Sequence, residues 1–258
     1  MRPGLNTILT IVIGFGAGSS SVAWADEIPS ATPYRPNVAN AADLSAPGYF
    51  EIEGGFLRVK SPDSWTTSFP VSLKYAFNKS LGMFITHNAG TSLRDSVGDR
   101  LTGPGDTSLS FKYKHPLGEE EDAPALGLIA SVNIPTSKNG LGSSEADYSL
   151  VGIYSADFAD WHGDLNLSYT QSGTVDDGVS EHLYGWAAAL SYPINERWGA
   201  TAELSGTAQR GAAETAQFLG FASYSVTPQL VLDGGAAWGL NKASPDWALF
   251  FGFTALLY

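Results

Sequence analysis

Residues 161–170, WHGDLNLSYT, alternate apolar and polar side chains, with Leu165, Leu167 and Tyr169 against Asp164, Asn166, Ser168 and Thr170. A β-strand points successive side chains to opposite faces, so this period of two builds one dry and one wet surface. The same period returns along most of the chain from Gly48 onward. No segment is apolar for the roughly 20 residues that a membrane-crossing helix needs. Such a chain forms half-dry strands, and their dry faces must either pack together or meet lipid.

The alternation predicts strands near 48–59, 66–78, 81–89, 106–115, 124–134, 146–158, 161–172, 182–193, 196–208, 214–226, 229–239 and 246–258. Their connections alternate in length. Residues 78–79, 159–160, 194–195 and 227–228 are tight turns, with 116–123 the one longer member of that set. The other set, 60–65, 90–105, 135–145, 172–181, 209–213 and 240–245, is longer throughout. Short turns at one end and long loops at the other are the habit of a bacterial outer-membrane barrel, and a soluble sandwich has no reason to keep it. The predicted fold is therefore all-β, a transmembrane antiparallel up-and-down barrel of about 12 strands.

The side opposite the apolar one is polar or small on nearly every predicted strand. Phe69, Val71, Leu73, Tyr75 and Phe77 oppose Ser68, Ser72 and Lys74, and Leu109, Phe111 and Tyr113 oppose Ser110, Lys112 and Lys114. Lipid cannot take the charges, so the apolar side is read outward and the lumen as wet. The candidate lumen-lining residues are Glu51, Glu53, Lys74, Lys112, Lys114, Asp164, Asn166, Glu203 and Asp233, with Arg58 as a further inward base. Two readings stay open: ion pairs bridging a closed lumen, or charges lining a wider one that selects permeants. Aromatics gather near strand ends, as interfacial girdles do.

At the N-terminus Arg2, the apolar run 8–17 and Ala23-Trp24-Ala25 have the layout of a signal peptide, with cleavage after Ala25. Residues 1–25 are read as that signal, 26–47 as a Pro-rich periplasmic leader and flexible tail, with a periplasmic contact or partial plug as the alternative, and 48–258 as the barrel. The chain has no cysteine, so no disulfide or thiolate site is available. Its 26 acidic residues outnumber 14 basic ones for a net charge of −12, which argues against nucleic acid as a partner.

Catalytic and metal signals are weak. His87, His115, His162 and His182 fall in no metal-ligand spacing and no nucleophile motif. The glycine-rich stretch 98–105 lacks the Lys-Ser/Thr of a phosphate loop, and the acidic run 119–122 reads as a solvated turn. Neither a catalytic residue, a cofactor nor a metal is expected, and the chain is read as a non-enzyme.

Short landmarks add a resemblance. They are Gly103-Pro104-Gly105-Asp106, Ile134-Pro135-Thr136, Asp233-Gly234 with Gly239-Leu240, Asp246-Trp247, and Phe251-Gly252-Phe253. In these, from about Tyr34 to Tyr258, the chain resembles the outer-membrane family named for the MetA pathway of phenol degradation. That family continues Pro-Thr with Gly, where this chain has Ser137. The resemblance implies passive passage of small aromatic or hydrophobic compounds through the outer membrane. The function expected is thus a small-molecule channel, with a non-conducting structural or surface-binding barrel as the alternative and a lipid hydrolase third. Its expected partners are outer-membrane lipid, the permeant, and the barrel assembly machinery, which would meet the last strand ending at Tyr258.

Overall fold

The computed structural model describes residues 28–258 except Glu121, Asn139 and Tyr258. The segment read as a signal peptide and the terminal tyrosine lie outside the described residues. The strands are β1 (Phe50–Ser61), β2 (Ser64–Ala76), β3 (Leu81–Asp95), β4 (Arg100–Gly103), β5 (Thr107–Pro116), β6 (Ala125–Ile134), β7 (Asp147–Phe158), β8 (Trp161–Gln171), β9 (His182–Pro193), β10 (Trp198–Gln209), β11 (Thr215–Thr227), β12 (Leu230–Gly239) and β13 (Trp247–Leu257). Each wall strand pairs antiparallel with the next, and β1 pairs with β13, so the sheet closes on itself. The wall has twelve strands. Closure leaves no unpaired edge, the condition for crossing lipid with strands.

The thirteenth strand, β4, pairs only with the outer part of β3. Half of the 90–105 connection, expected as loop, is thus a hairpin extension of the wall. The short turns are built by side chains: Asn78 Oδ1 accepts from the N–H groups of Ser80 and Leu81, and Asn195 Oδ1 from those of Arg197 and Trp198. An Asx turn of this kind reverses the chain in few residues.

The faces separate as the period requires. On β8, Leu167 is 73 % exposed while Asp164 is 1 %. The last strand, ambiguous by composition, resolves the same way. Phe250 and Leu256 point into the barrel, and Phe251, Phe253 and Leu257 point out. Aromatic pairs ring both ends: Phe50–Tyr75, Trp161–Tyr192 and Trp198–Tyr224 by the short turns, Trp65–Trp247 and Phe218–Trp238 by the long connections.

Two expectations fail inside. Residues 31–46, within the 26–47 stretch read as a flexible periplasmic tail, are folded into the lumen, with Asn37, Ala39, Ala41 and Ala42 fully buried. Nor is the lumen uniformly wet. Tyr34 and Ala42 of the leader share a buried apolar cluster with Phe84, Ile129, Ile153, Leu219, Phe221 and Phe250 of the wall. The two failures have one cause. Large apolar residues are tolerable on an inward face only where another apolar surface covers them, and the leader supplies that surface.

Candidate functional site

The leader enters beside the β11–β12 turn, where Ala31 N–H donates to the Pro228 carbonyl at 2.8 Å. It climbs along β1, crosses the lumen and returns past Ala76 of β2 into β1. Its own backbone forms no sheet ladder there, so its polar groups are satisfied by inward side chains of the wall.

Those side chains are the residues singled out by charge. Glu51 accepts from Thr32 N–H at 2.7 Å, and Glu53 from Tyr34 N–H at 2.6 Å. Lys74 lies between the two carboxylates, 2.7 Å from Glu53 and in contact with Glu51, and also donates to the Thr32 carbonyl at 2.6 Å. The Tyr34 ring sits 3.9 Å from Lys74 Nζ and 3.8 Å from Lys112 Nζ, and this is a geometry of cation–π attraction. Glu203 accepts from Val38 and Ala39 N–H at 2.8 and 2.9 Å. Asn166 accepts from Asn40 N–H at 2.7 Å and returns a bond to the Asn40 carbonyl at 2.8 Å. Asp233 pairs with Arg35 at 3.0 Å, and Lys114 with Asp43 at 2.5 Å. Asp164 reaches the leader through Ser155, which donates to Asp164 at 2.5 Å and accepts from Ala42 N–H.

All nine candidates thus face inward and converge on one segment. Arg58, read as a further inward base, instead lies on the outward face beside Phe56 and Lys60, where it is exposed. A strand has two faces, and Arg58 is out of phase with Glu51 and Glu53. The leader residues Tyr34, Arg35, Asn40 and Asp43 were missed. A proline-rich stretch without alternation looks like a tail, because its order comes from partners far away in sequence.

Burial and the neighbouring Glu51 carboxylate raise the Tyr34 phenol well above its ordinary value, so it stays neutral against the two ammonium groups. Asp43 shows the opposite balance: burial pushes its carboxyl up, but Lys114 outweighs that and holds it below the usual range. Side-chain atoms of Asn37, Lys112, Glu203 and Asp233 are buried without a hydrogen-bond partner. Each such atom carries a desolvation cost of about 1–3 kcal/mol, which offsets the docking bonds.

The Arg35 slot has a steric signature. Its guanidinium reaches Asp233 and the Gly54 carbonyl, and a Cβ at Gly55 or Gly252 would overlap it. Gly55 and Gly252 face each other across β1 and β13, with Asp233 beside Gly252 on β12. Gly252→Ala should therefore lever Arg35 out of its slot at a cost of roughly 1–3 kcal/mol. Hydrogen exchange would show faster exchange at 31–42 with the wall strands unchanged. Unaltered leader protection would mean that the slot does not hold it.

Above the leader the lumen is apolar on one side. Pro36, Leu57, Val59, Leu219, Ala237 and Phe250 line a space of about 20 Å³, room for one water. Among the described residues the histidines form no nucleophile–base pair with serine. His162 lies between Asp157 and Asp164, so a carboxylate separates it from Ser155, and His87 meets the Thr107 hydroxyl.

Residues 34–257 match the family described as "Putative MetA-pathway of phenol degradation". The chain belongs to this family. Its matched stretch begins at Tyr34, inside the leader, so the MetA-pathway family pattern covers the plug as well as the wall. An outer membrane channel from Pseudomonas putida F1 superposes with a TM-score of 0.68 at 16 % identity, over 84 % of this chain and 98 % of that one. The NanC porin gives 0.56 at 11 % identity over 81 % and 100 %. The CymD monoaromatic hydrocarbon channel gives 0.51 at 11 % identity over 83 % and 90 %. At these identities the likeness is one of fold. The search of curated proteins gave no match.

Proposed function

We propose that this member of the MetA-pathway family is an outer-membrane channel for passive entry of small apolar compounds, aromatics among them, and that the leader must shift for passage. The carrying observation is the apolar wall of Leu57, Val59, Leu219, Phe221 and Phe250 that the leader meets inside the lumen. A polar permeant gains nothing from such a wall, whereas an apolar one is favoured by contact with it. The description of CymD as a monoaromatic hydrocarbon channel supports the same class of permeant. Export by a signal cleaved after Ala25 is part of this reading, because a barrel of this kind reaches its membrane from the periplasm.

The test compares full-length protein with a variant lacking residues 31–46, both reconstituted in liposomes. Excision should raise flux of a small phenol and of a polar solute of similar size, and the full-length protein should favour the phenol. No flux of either solute through either protein would instead support the non-conducting barrel.

A further inference from the structure

At the end of the barrel where the long connections lie, the outward face carries an unusual row. Reading across β13, β1, β2, β3 and β4, directly opposed residues are Trp247, Lys60, Trp65, Arg94 and Arg100. Arg58 lies one outward position deeper, facing Leu249 and Thr67. The row shares its face with Phe69 and Phe251 of the exposed apolar band and with the half-buried Phe56 packed between them. A chain with only 14 basic residues has placed four of them together on the lipid side of its wall.

Among the described residues no ion pair involves Arg58, Arg94 or Arg100, whereas Lys60 Nζ donates to the Ser61 and Pro62 carbonyls and lies 3.7 Å from Asp246. Asp95 follows Arg94 but turns away, its Oδ1 accepting from Val97, Gly98 and Asp99 N–H groups. Asp63 is the remaining acid in the cleft that Lys60, Trp65 and Arg94 help to line. Arg94 and Arg100 stand directly opposite each other, and like charges so placed destabilise a strand pair. An anion between them removes that cost. Arg100 Nε donates to Ser92 Oγ at 2.9 Å, and the Arg58 guanidinium lies 4.8 Å from the Trp65 ring centre, so both side chains are held in place.

The level on the wall identifies the anion. Tryptophans on the outside of a barrel sit where acyl chains give way to headgroups, and here Trp65 and Trp247 alternate with the cations. Guanidinium groups suit phosphate oxygens, which they bind in bidentate fashion. In outer-membrane barrels the long loops face outward, so the headgroups at this level are those of the outer leaflet. We propose that Arg58, Lys60, Arg94 and Arg100 form a binding site on the outer wall for the phosphates of lipid A. The site is separate from the lumen and independent of what the channel passes.

Delipidated protein in detergent, followed by native mass spectrometry, tests this with four probes added singly: bisphosphorylated lipid A, its dephosphorylated form, phosphatidylglycerol and inorganic phosphate. Lipid A should stay bound most strongly, and Arg94→Gln with Arg100→Gln should weaken it on the order of tenfold or more, as loss of charged hydrogen bonds implies. Equal retention of the dephosphorylated form, or undiminished binding by the double variant, would overturn the proposal. So would preference for phosphatidylglycerol, or binding of inorganic phosphate as tight as that of the lipid. Should the double variant fail to fold, the comparison of phosphorylated with dephosphorylated lipid on the unaltered protein still decides.

Discussion

Lys74→Met should destabilise the folded barrel by about 3–5 kcal/mol, the usual cost of stripping one partner from a buried ion pair. Lys74 is fully buried and lies between the Glu51 and Glu53 carboxylates, which project from the same face of β1. Without it two like charges face each other in a dry lumen, and the Thr32 carbonyl loses its donor. The leader should suffer first, because Thr32 and Tyr34 N–H groups dock on those same carboxylates. Denaturant unfolding in detergent gives the stability, and hydrogen exchange at 32–34 gives the docking. Adding Glu53→Gln to Lys74→Met should recover part of the loss, since it removes one uncompensated charge. A penalty below about 1 kcal/mol would show that water already screens the triad, as it does at exposed pairs.

Leu167→Arg should cost roughly 2–4 kcal/mol, the penalty for a cation near the bilayer midplane on the lipid face of a barrel. Leu167 is mid-strand on β8, flanked by Gly152 and Trp186, and more exposed than any neighbour on that strand. Leu167→Ala is the control. It removes an exposed side chain that supports no core, so it should cost far less. If the two variants lost the same stability, the outward face would not be in lipid. Asn166→Arg, one residue away, would be mild in an open, wet lumen. In this structure Asn166 is bonded to Asn40, so that substitution should instead displace the leader and leave the wall intact.

Much of this is legible in the amino-acid sequence. The period of two from Gly48 onward specifies strands and their faces, because a one-residue slip would turn Leu165 and Leu167 into the lumen and Asp164 and Asn166 into lipid. The alternation of short and long connections specifies an up-and-down barrel, since each tight turn forces its two strands to be neighbours. The inward charges were legible for the same reason: Glu51, Lys74 and Asp233 are polar at positions whose neighbours two residues away share their face.

Their purpose was not legible. Read alone, Glu203 and Asn166 are lumen polar residues of either an open or a closed channel, and residues 28–47 carry no period at all. Order in the leader arises from contacts such as Asn40 with Asn166 and Arg35 with Asp233, which join residues 126 and 198 positions apart. Local propensity has no access to such pairs. The outer basic row shows the same limit. Arg58 and Lys60 are visible as neighbours in phase, but Arg94 and Arg100 join them only through the register of β2 with β3 and β3 with β4. By itself the amino-acid sequence determined a closed barrel with a dry outside, because strand periodicity and turn length are local properties. Tertiary structure decided that the leader lies inside the lumen and that four cations meet on the wall, because both depend on which distant strands the closure brings side by side.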